Sequence, residues 1–360
     1  MRAFRRQVGL AVALAAVTAA GGCATTQIPG RPGKSAPARR EVHRDRAAAP
    51  SILNDQIAEL GRSFDGKAGI AIVSLGSDWE AGWNARMLFP QQSCSKLWVA
   101  LATLDAVDRG EVSLDQRVPL TRGDMTLFHQ PLGDQILAGS VQSITIGDLL
   151  FAAITQSDNT ANDKLLWSIG GPPTVRAMIA RKNLGAIRFY DGERALQSKI
   201  AGLAWNPAYS IGTAFMDART ALPMPVRQAA FDRYVRDPDD GAAPHAIANA
   251  LAALKSGELL SRESTAKLLS TMGQTKTGGL RVRAALAPGW EWNHKTGTGQ
   301  VLNGQIAGIN DIGLLTAPDG TVYAVAIMTV PNKSDGSAQQ LMRNVTTTIE
   351  SYHATHPFGG

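Results

Sequence analysis

Two apolar segments near the end of the chain, residues 306–315 and 321–330, flank the tetrapeptide A-P-D-G at residues 317–320. Proline and glycine in this arrangement are typical of a tight turn, so the two segments are predicted to pair as a β-hairpin. Another β-branched apolar segment, residues 68–75, lies near the start of the chain, and residues 81–87 could pair with it. A sheet built from these segments therefore draws its strands from both ends of the chain.

The middle of the chain has the pattern of helices rather than strands. Apolar residues recur there at helical spacing, and Gly110 ends the first periodic segment. Helices are predicted over residues 96–109, 146–154, 161–169, 246–254 and 264–272, with two more over 52–60 and 337–352. This order favours an α/β lobe, an antiparallel sheet flanked by helices, made from both chain ends. An all-helical lobe, about residues 97–285, is expected to be inserted into it.

The first 22 residues have the pattern of an export signal. Three arginines precede a short apolar run, residues 8–20, and small residues then lead to Cys23. Residues 20–23 resemble a bacterial lipoprotein cleavage site, which makes Cys23 the predicted lipidation site; the alternative is an ordinary signal peptide cut nearby. Ala24 lacks the acidic side chain that commonly retains lipoproteins at the inner membrane. We therefore expect a periplasmic protein anchored to the outer membrane.

Residues 23–50 are rich in Ala, Pro, Gly and Arg and have no apolar periodicity, which predicts a flexible basic tether before a folded domain at residues 51–360. Nine of the 36 Lys and Arg residues, but only two of the 30 Asp and Glu residues, lie before residue 51. The remaining 27 bases and 28 acids make the body nearly neutral, although the whole chain carries +6. Nucleic-acid binding needs a clustered basic face and is not expected. We expect a monomer.

The cysteines and histidines of this chain do not indicate a disulfide, a metal site or a Ser-His-Asp site. The two cysteines are Cys23 and Cys94, and if Cys23 is lipidated or removed no intramolecular disulfide can form. No pair among the six histidines has metal-ligand spacing, and no G-x-S-x-G motif occurs. We therefore expect neither a zinc enzyme nor a Ser-His-Asp hydrolase, and no metal or cofactor.

The segment from Ser93 to Lys96 has the pattern S-x-x-K at the start of a predicted helix. Residues three apart share a helix face, so the Lys96 ammonium can lie beside the Ser93 hydroxyl. An unassisted serine is a poor nucleophile and needs such a neighbour, and a helix N-terminus favours negative charge developing on a nearby oxygen. The alternative is a capping serine and a surface lysine.

Two further motifs follow along the chain, Ser157-Asp158-Asn159 and Lys295-Thr296-Gly297. A lone S-D-N is more often a turn or a helix cap. A second K-T-G occurs at residues 276–278, but it ends a predicted helix and leads into a connection. Only the K-T-G at Lys295 enters the late strand region, where it can lie along a sheet edge.

These three motifs, in this order, resemble the signature set of class A β-lactamases and penicillin-binding proteins. The resemblance covers about residues 51–355. Further segments are similar to class A: E-x-x-L-Q at 193–197, T-G-G-L-R-V-R-A at 277–284 and N-D-I at 310–312. Glu193 lies 36 residues after Ser157, as that class leads one to expect. The chain thus resembles a class A serine β-lactamase, which implies a β-lactamase/transpeptidase-like fold.

The resemblance also implies a role for each matched residue. Ser93 would attack the lactam carbonyl, and either Lys96 or Glu193, the latter through a water, would take its proton. Ser157 would pass a proton to the leaving nitrogen with the help of Lys295, and Glu193 would activate the water that frees the acyl-enzyme. Backbone N–H groups of Ser93 and Thr298 would hold the oxyanion. The implied substrate-binding residues are Asn159, Gln197, Arg281, Thr296, Gly297 and Thr298.

The sequence departs from the class in several places. Gln197 replaces the usual Asn, and its extra methylene moves the amide that helps hold the deacylating water. Asp191 stands where the class usually has Arg, and Asp240 could be the acidic partner of that missing residue. Residues 198–236 are an aromatic-rich addition, which we expect to be ordered, packed on the body and at the mouth of the site; the alternative is a remote packing element. Phe128 is either an aromatic wall of that mouth or a core residue.

The function implied by the resemblance is hydrolysis of the β-lactam amide through a serine acyl-enzyme, which gives antibiotic resistance. The expected partner is a small-molecule β-lactam. One alternative is a low-activity penicillin-binding D,D-peptidase, against which the dedicated water activator Glu193 argues. The other is a non-enzymatic cell-wall-binding lipoprotein, against which the intact Ser93 and Lys96 argue.

Overall fold

A computed structural model describes residues 46–356 of the chain. This part contains ten strands and twelve α-helices, joined by loops and short 3-10 helices. The strands are β1 (Ala47–Ala48), β2 (Gly66–Ser74), β3 (Trp79–Trp83), β4 (Arg117–Pro119), β5 (Ser143–Thr145), β6 (Glu291–Thr298), β7 (Val301–Leu302), β8 (Gln305–Ile306), β9 (Ile309–Thr316) and β10 (Val322–Pro331). The helices are α1 (Ser51–Arg62), α2 (Lys96–Asp108), α3 (Pro131–Leu137), α4 (Ile146–Thr155), α5 (Asn159–Ser168), α6 (Pro172–Arg181), α7 (Glu193–Ile200), α8 (Ala214–Ala221), α9 (Met224–Arg236), α10 (Pro244–Lys255), α11 (Arg262–Gly273) and α12 (Ser337–Thr355).

The predicted export signal, residues 1–22, and the predicted lipidation site Cys23 lie outside the described residues, as does most of the predicted tether. The end of that tether belongs to the fold, because β1 pairs in parallel with β3. Arg46 adds to this contact by donating from Nε to Asn249 Oδ1 at 3.0 Å. The folded body therefore begins by Arg46 and not at Ser51, where the composition placed its start.

Six strands form the main sheet, in the order β1–β3–β2–β10–β9–β6. The centre is β10, which pairs antiparallel with β2 on one side and with β9 on the other. The edge strand β6 lies beside β9 with Lys295 opposite Ile312. The sheet predicted from both chain ends, including its hairpin, is confirmed. The parallel strand β1, which the sequence did not predict, makes the sheet mixed.

Strand β10 is buried on both faces, which explains its continuous apolar sequence. Its side chains alternate between two cores, as the twofold period of a strand requires. Ala324 and Ala326 face the core shared with the helical lobe, where α10 packs on the sheet. Tyr323 and Val325 face the core formed with α1 and α12. The sheet is thus the middle layer between the lobe and the two terminal helices.

The inserted lobe is organised around α2, a helix that is apolar on every side. Eleven of its thirteen residues are buried, including Trp98 and Lys96. The lobe was expected to be wholly helical, but it also contains a two-stranded ribbon in which β4 pairs with β5. The predicted helices at α2, α4, α5, α10 and α11 are confirmed. Within residues 46–356, no helix is both long and apolar enough to cross a membrane.

The aromatic-rich segment 198–236 is ordered and packed on the body, as its composition predicted. It contains α8 and α9, and Pro223 and Pro225 lie at the start of α9, where a missing N–H costs no hydrogen bond. Phe231 and Tyr234 pack with Leu196 of α7. Phe215 of α8 is 3% exposed and joins a second small apolar cluster. Burial of these rings fixes the segment beside α7.

Candidate active site

A cleft of about 560 Å³ lies between the edge strand β6 and the helical lobe. Residues from all three sequence motifs line it, although they are far apart in the chain. The predicted site residues on its walls are Ser93, Ser157, Asn159, Gln197, Arg281, Thr296 and Thr298. Those buried behind the walls are Lys96, Glu193, Lys295 and Gly297. The fold therefore gathers the residues that the resemblance implied into one site.

Ser93 lies in a short 3-10 helix, Gln92–Ser95, that leads directly into α2. The preceding Gln92 has a φ of 53°, a left-handed conformation that is uncommon for a residue with a side chain. Asp240 holds this turn by accepting the Gln92 N–H at 2.8 Å. Lys96 Nζ donates to Ser93 Oγ at 2.8 Å, which is the neighbour relation expected from the S-x-x-K spacing.

The Lys96 ammonium has two partners besides Ser93. It donates to Asn159 Oδ1 at 2.9 Å and forms an ion pair with Glu193 Oε1. The side chain of Lys96 is 0% exposed and that of Glu193 only 4%, so little water screens the pair. A proton released by Ser93 can thus pass to Lys96 as Lys96 passes one of its own to Glu193, one hydrogen bond further on.

Glu193 is held in place by Asp163, a residue that the sequence analysis missed. Glu193 is the first residue of α7, and the Asp163 carboxylate accepts its N–H at 2.9 Å and the Arg194 N–H at 3.3 Å. Burial and the charge of Glu193 raise the pKa of Asp163 to about 6. The signal was available, because Asp163 follows Asn159 by four residues and so shares its face of α5.

Gln197 lies one turn after Glu193 on α7. Its Nε2 is 3.4 Å from Glu193 Oε2, and its Oε1 accepts from Gln300 Nε2 at 3.0 Å. Gln300 also donates to the Gln197 carbonyl at 2.8 Å, so the amide is tied to the segment that follows β6. The longer side chain is therefore accommodated by Gln300, a partner that the sequence analysis did not single out.

Ser157 and Lys295 form the second polar pair of the site. Lys295 Nζ donates to Ser157 Oγ at 2.8 Å and to the Thr296 carbonyl at 2.9 Å. Burial lowers the pKa of Lys295 to about 7, and the charge of Lys96 acts in the same direction. Ser157 has a φ of 61°, and Asp158 caps α5 by accepting the Ala161 N–H at 2.8 Å. This strained turn aims the Ser157 hydroxyl into the cleft.

The glycine of K-T-G is required because β6 closely approaches residues 91–94, the turn that carries Ser93 and is called the nucleophile turn below. A Cβ on Gly297 would lie 2.4 Å from the Gln91 carbonyl oxygen and 3.2 Å from Cys94 Sγ. Asn310 of the N-D-I segment secures the same junction, because its Nδ2 donates to the Pro90 carbonyl at 2.8 Å. These contacts fix the distance between Ser93 and β6. Gly297 therefore acts through its size.

Arg281 is buried beside β6, with 9% of the residue exposed. Its guanidinium donates to the Gly297 carbonyl at 3.0 Å and also to Thr298 Oγ1. Burial lowers the pKa of Arg281, and the carboxylate of Asp311 opposes that effect. A cation is thus placed next to the hydroxyl groups expected to hold the substrate carboxylate.

The K-T-G at residues 276–278 also contributes to the site, although it was interpreted as a connection. Thr277 lines the cleft, and its Oγ1 lies 2.6 Å from Thr296 Oγ1. The segment is indeed a connection between α11 and β6, but it packs against β6 rather than pointing away. Sequence spacing gave no sign of this contact.

Phe128 and the inserted helix α8 form the mouth of the cleft. Phe128 is 46% exposed, and its ring contacts Phe215 edge-on with 5.0 Å between centroids. Met216 and Arg219 of α8 also line the cleft. The structure therefore places the insertion at the site mouth and not at a remote position. It places Phe128 on the wall of that mouth and not in the core.

Asp191, which stands where the class usually has Arg, and Asp240, the expected acidic partner of that arginine, have different side-chain partners. Asp191 forms an ion pair with Arg176 of α6, with 3.0 Å between Nη1 and Oδ1. Asp240 contacts no arginine among the described residues; it accepts from the Gln92 N–H and from the Tyr234 hydroxyl, each at 2.8 Å. A tyrosine from the insertion thus contacts Asp240 where an arginine is usual in the class.

Comparisons with known proteins agree with this site. A family model described as the β-lactamase enzyme family matches residues 52–352. The β-lactamase of Mycobacterium tuberculosis is 28% identical over 332 residues, which is 91% of this chain and 90% of the relative. β-Lactamase VEB-1 of Pseudomonas aeruginosa is 25% identical over 78% of this chain and 83% of its own length.

Solved structures show the same relationship. An ancestral (GNCA) class A β-lactamase superposes with a TM-score of 0.67 at 26% identity, covering 83% of this chain and 99% of that one. The TLA-3 extended-spectrum β-lactamase has the same fold, with a TM-score of 0.69 at 24% identity over 84% of this chain and 98% of that one.

The fold, together with the buried Ser93–Lys96–Glu193 arrangement, defines a penicillin-recognising serine hydrolase. The matches over nearly the whole body narrow this class further. The chain belongs to the β-lactamase enzyme family, and within it to the class A serine β-lactamases.

Proposed function

We propose that this protein hydrolyses the amide bond of β-lactams through an acyl-enzyme on Ser93 and thereby confers β-lactam resistance. The observation that carries the proposal is the position of Lys96 Nζ, which contacts both Ser93 Oγ and the Glu193 carboxylate. One buried cation thus links the nucleophile to the group suited to activate water. Family membership supports the same reaction.

Acylation begins when Ser93 Oγ attacks the lactam carbonyl. Its proton passes to Lys96, at 2.8 Å, as Lys96 gives one of its own protons to Glu193, or it passes to Glu193 through a bound water. The backbone N–H groups of Ser93 and Thr298 stabilise the negative charge on the carbonyl oxygen. When the C–N bond breaks, the Ser157 hydroxyl protonates the leaving nitrogen, and Lys295, 2.8 Å from that hydroxyl, replaces its proton.

Deacylation needs a base close to the new ester, and Glu193 fills this role. Glu193 takes a proton from a water, and the resulting hydroxide attacks the ester carbonyl. The bond to Ser93 Oγ breaks as Lys96 gives that oxygen a proton, and Glu193 returns the proton it took to Lys96. Gln197 lies within 3.4 Å of Glu193 and is held by Gln300, which positions its amide to hold the water. A low-activity penicillin-binding D,D-peptidase would lack this dedicated water activator.

Steady-state and burst kinetics with a chromogenic cephalosporin test the proposal. Continuous turnover that Ser93→Ala abolishes is the expected result. A stoichiometric burst without turnover would identify a penicillin-binding protein instead, and no reaction at all would identify a binding protein. Glu263→Ala, at an exposed position of α11, is the matched control and is expected to keep the turnover of the parent protein.

We also propose that the chain acts as an exported monomer, anchored to the outer membrane on its periplasmic side through a lipid on Cys23. The support is the sequence pattern of residues 1–23, which lies outside the described residues. Export would place the enzyme where β-lactams must pass to reach their targets. Several acyl chains on one cysteine anchor a protein more firmly than a single chain can.

A further inference from the structure

The insertion brings a second guanidinium to the substrate cleft. Arg219 of α8 lines the cleft, and only 7% of the residue is exposed. Its Nη2 donates to the Val301 carbonyl at 2.8 Å, just beyond the end of β6. Arg281 lies beside Gly297 and Thr298 of β6 itself. The two cations therefore flank one stretch of backbone.

Arg219 has fewer partners than a buried guanidinium requires. Its Nε is buried and has no hydrogen-bond partner among the described residues. No carboxylate within residues 46–356 forms an ion pair with it, and the neighbouring Arg227 also has a buried Nε without a partner. Burial, together with the positive charge of Arg227, lowers the pKa of Arg219. A buried cation without a counter-ion is costly, and an anion in the cleft would remove that cost.

The position of Arg219 indicates which part of a substrate it meets. Val301 follows Thr298 by three residues, so the two guanidinium contacts are at most about 10 Å apart along the chain. In the proposed reaction the ring carboxylate lies at Thr298 and Arg281. The acylamido side chain lies on the other side of the lactam, toward Asn159 and Gln197. Val301, whose carbonyl binds Arg219, directly follows Gln300, and Gln300 donates to Gln197 at 2.8 and 3.0 Å, which places Arg219 on that side.

We propose that Arg219 is a specificity-determining residue that favours β-lactams with a second carboxylate, carried on the acylamido side chain. This inference rests on the proposed function for the orientation of the substrate. A guanidinium offers five N–H donors in a planar fork. Nη2 of Arg219 is used by the Val301 carbonyl, and Nη1, which makes no hydrogen bond with the described residues, leaves the side chain able to bind a carboxylate. The insertion thus supplies a charge that the three catalytic motifs do not.

Binding of two matched penicillins to a Ser93→Ala protein tests the inference without turnover. Carbenicillin is benzylpenicillin with one added carboxylate on the side chain, and calorimetry gives Kd for each. We expect Ser93→Ala to bind carbenicillin more tightly, and the added change Arg219→Gln to reduce this preference about tenfold. Arg219→Lys, which keeps the charge but not the fork, is expected to retain part of the preference.

Arg236→Gln is the matched control, because it removes one arginine from an exposed position of the same insertion. It should leave the carbenicillin preference as it is in the parent. Equal losses for both penicillins in Arg219→Gln, with a lowered Tm, would overturn the inference in favour of a structural role for the Val301 contact. The readout of this experiment is Kd and not hydrolysis. If the parent protein, which keeps Ser93, failed to hydrolyse β-lactams, the proposed function would be refuted, but the binding preference measured here would still stand.

The unmodified chain provides a second measurement that does not depend on a variant folding. Ampicillin carries an ammonium at the carbon where carbenicillin carries its carboxylate. We expect kcat/KM, or the rate of acylation where turnover is absent, to be at least about tenfold higher for carbenicillin, with the difference shrinking as salt is added. A preference for ampicillin, or no difference between the two, would overturn the inference.

Discussion

The hydroxyl of Tyr234 lies 2.8 Å from a carboxylate oxygen of Asp240, and this contact joins the inserted segment to the turn that carries the nucleophile. The other carboxylate oxygen accepts the Gln92 N–H at 2.8 Å. Burial raises the pKa of Asp240 to about 7. The insertion is therefore connected to Ser93 through a group that holds a proton under mildly acidic conditions.

We predict that Asp240 makes stability depend on pH. The folded protein keeps the Asp240 proton up to about pH 7, while an unfolded aspartate loses it near its ordinary value of 3.8. The folded state thus binds more protons between these values, and its free energy of unfolding falls as the pH rises through that window, by about 1.4 kcal/mol per pKa unit of difference.

Urea unfolding of the parent protein and Asp240→Asn at pH 4.5 and 7.5 measures this effect. The free energy of unfolding of the parent, relative to Asp240→Asn, should be lower at pH 7.5. Asp55→Asn, at an exposed position of α1, serves as the control and should show no such change. A difference that grows with pH would mean that Asp240 is ionised and stabilising.

Gly297→Ala should damage the site by widening it. The new Cβ would lie 2.4 Å from the Gln91 carbonyl oxygen, so β6 or the nucleophile turn has to move. Overpacking of this kind costs about 1–3 kcal/mol, and we expect acylation to slow as Thr298 moves away from Ser93. Urea unfolding and the rate of covalent labelling by penicillin measure the two effects.

Gly279→Ala is the matched control, because a Cβ there has nothing within 4 Å. It should preserve both stability and labelling. Normal labelling in Gly297→Ala would show that the approach of β6 to Ser93 is not critical for acylation.

The sequence predicted the elements well because their signals are local. Strand β10 is apolar except for Thr329 and follows a recognisable turn, and α2 ends two residues before Gly110, which stops the periodicity. The S-x-x-K spacing likewise placed Lys96 beside Ser93, since both lie on one helical turn. In each case a few consecutive residues carry the whole pattern.

What the sequence could not predict depends on contacts between distant segments. Asp163 supports Glu193 across thirty residues, and Thr277 reaches Thr296 from a segment that had the appearance of a plain connection. Arg219 becomes part of the cleft only because buried aromatic rings hold α8 against the body. Burial and tertiary position, which residue order does not encode directly, assign these roles.

Cys23→Ser should release the protein from the membrane if the predicted lipoprotein signal is used. Without the thiol no lipid can be attached, so the chain loses the proposed lipid anchor. Fractionation of cells and the electrophoretic mobility of the protein measure the change. Mobility and membrane association identical to those of the parent would contradict lipidation, and an ordinary signal peptide would then be indicated.

Glu193→Ala should separate the two halves of the reaction. Ser93 keeps Lys96 beside it, and Asn159 still holds Lys96, so some acylation should continue, while water loses its base and deacylation should fall by about 100-fold or more. Mass spectrometry of the intact protein after exposure to penicillin should then show an adduct of one penicillin. Rapid turnover by Glu193→Ala would remove Glu193 from its assigned role, and Ser93→Ala should form no adduct at all.

Lys295 should make acylation sensitive to pH near neutrality. Burial and the charge of Lys96 lower its pKa to about 7, so Lys295 is cationic below that pH and loses its charge above it. The cation supplies the proton that Ser157 passes to the leaving nitrogen, and its charge favours the substrate carboxylate. We therefore expect kcat/KM, which reports the free enzyme, to decline as the pH rises through about 7.

Lys295→Arg keeps its charge at high pH. Whatever activity it retains should lack that decline, whereas a profile for the parent that is flat from pH 6 to 9 would show that the charge on Lys295 does not limit acylation.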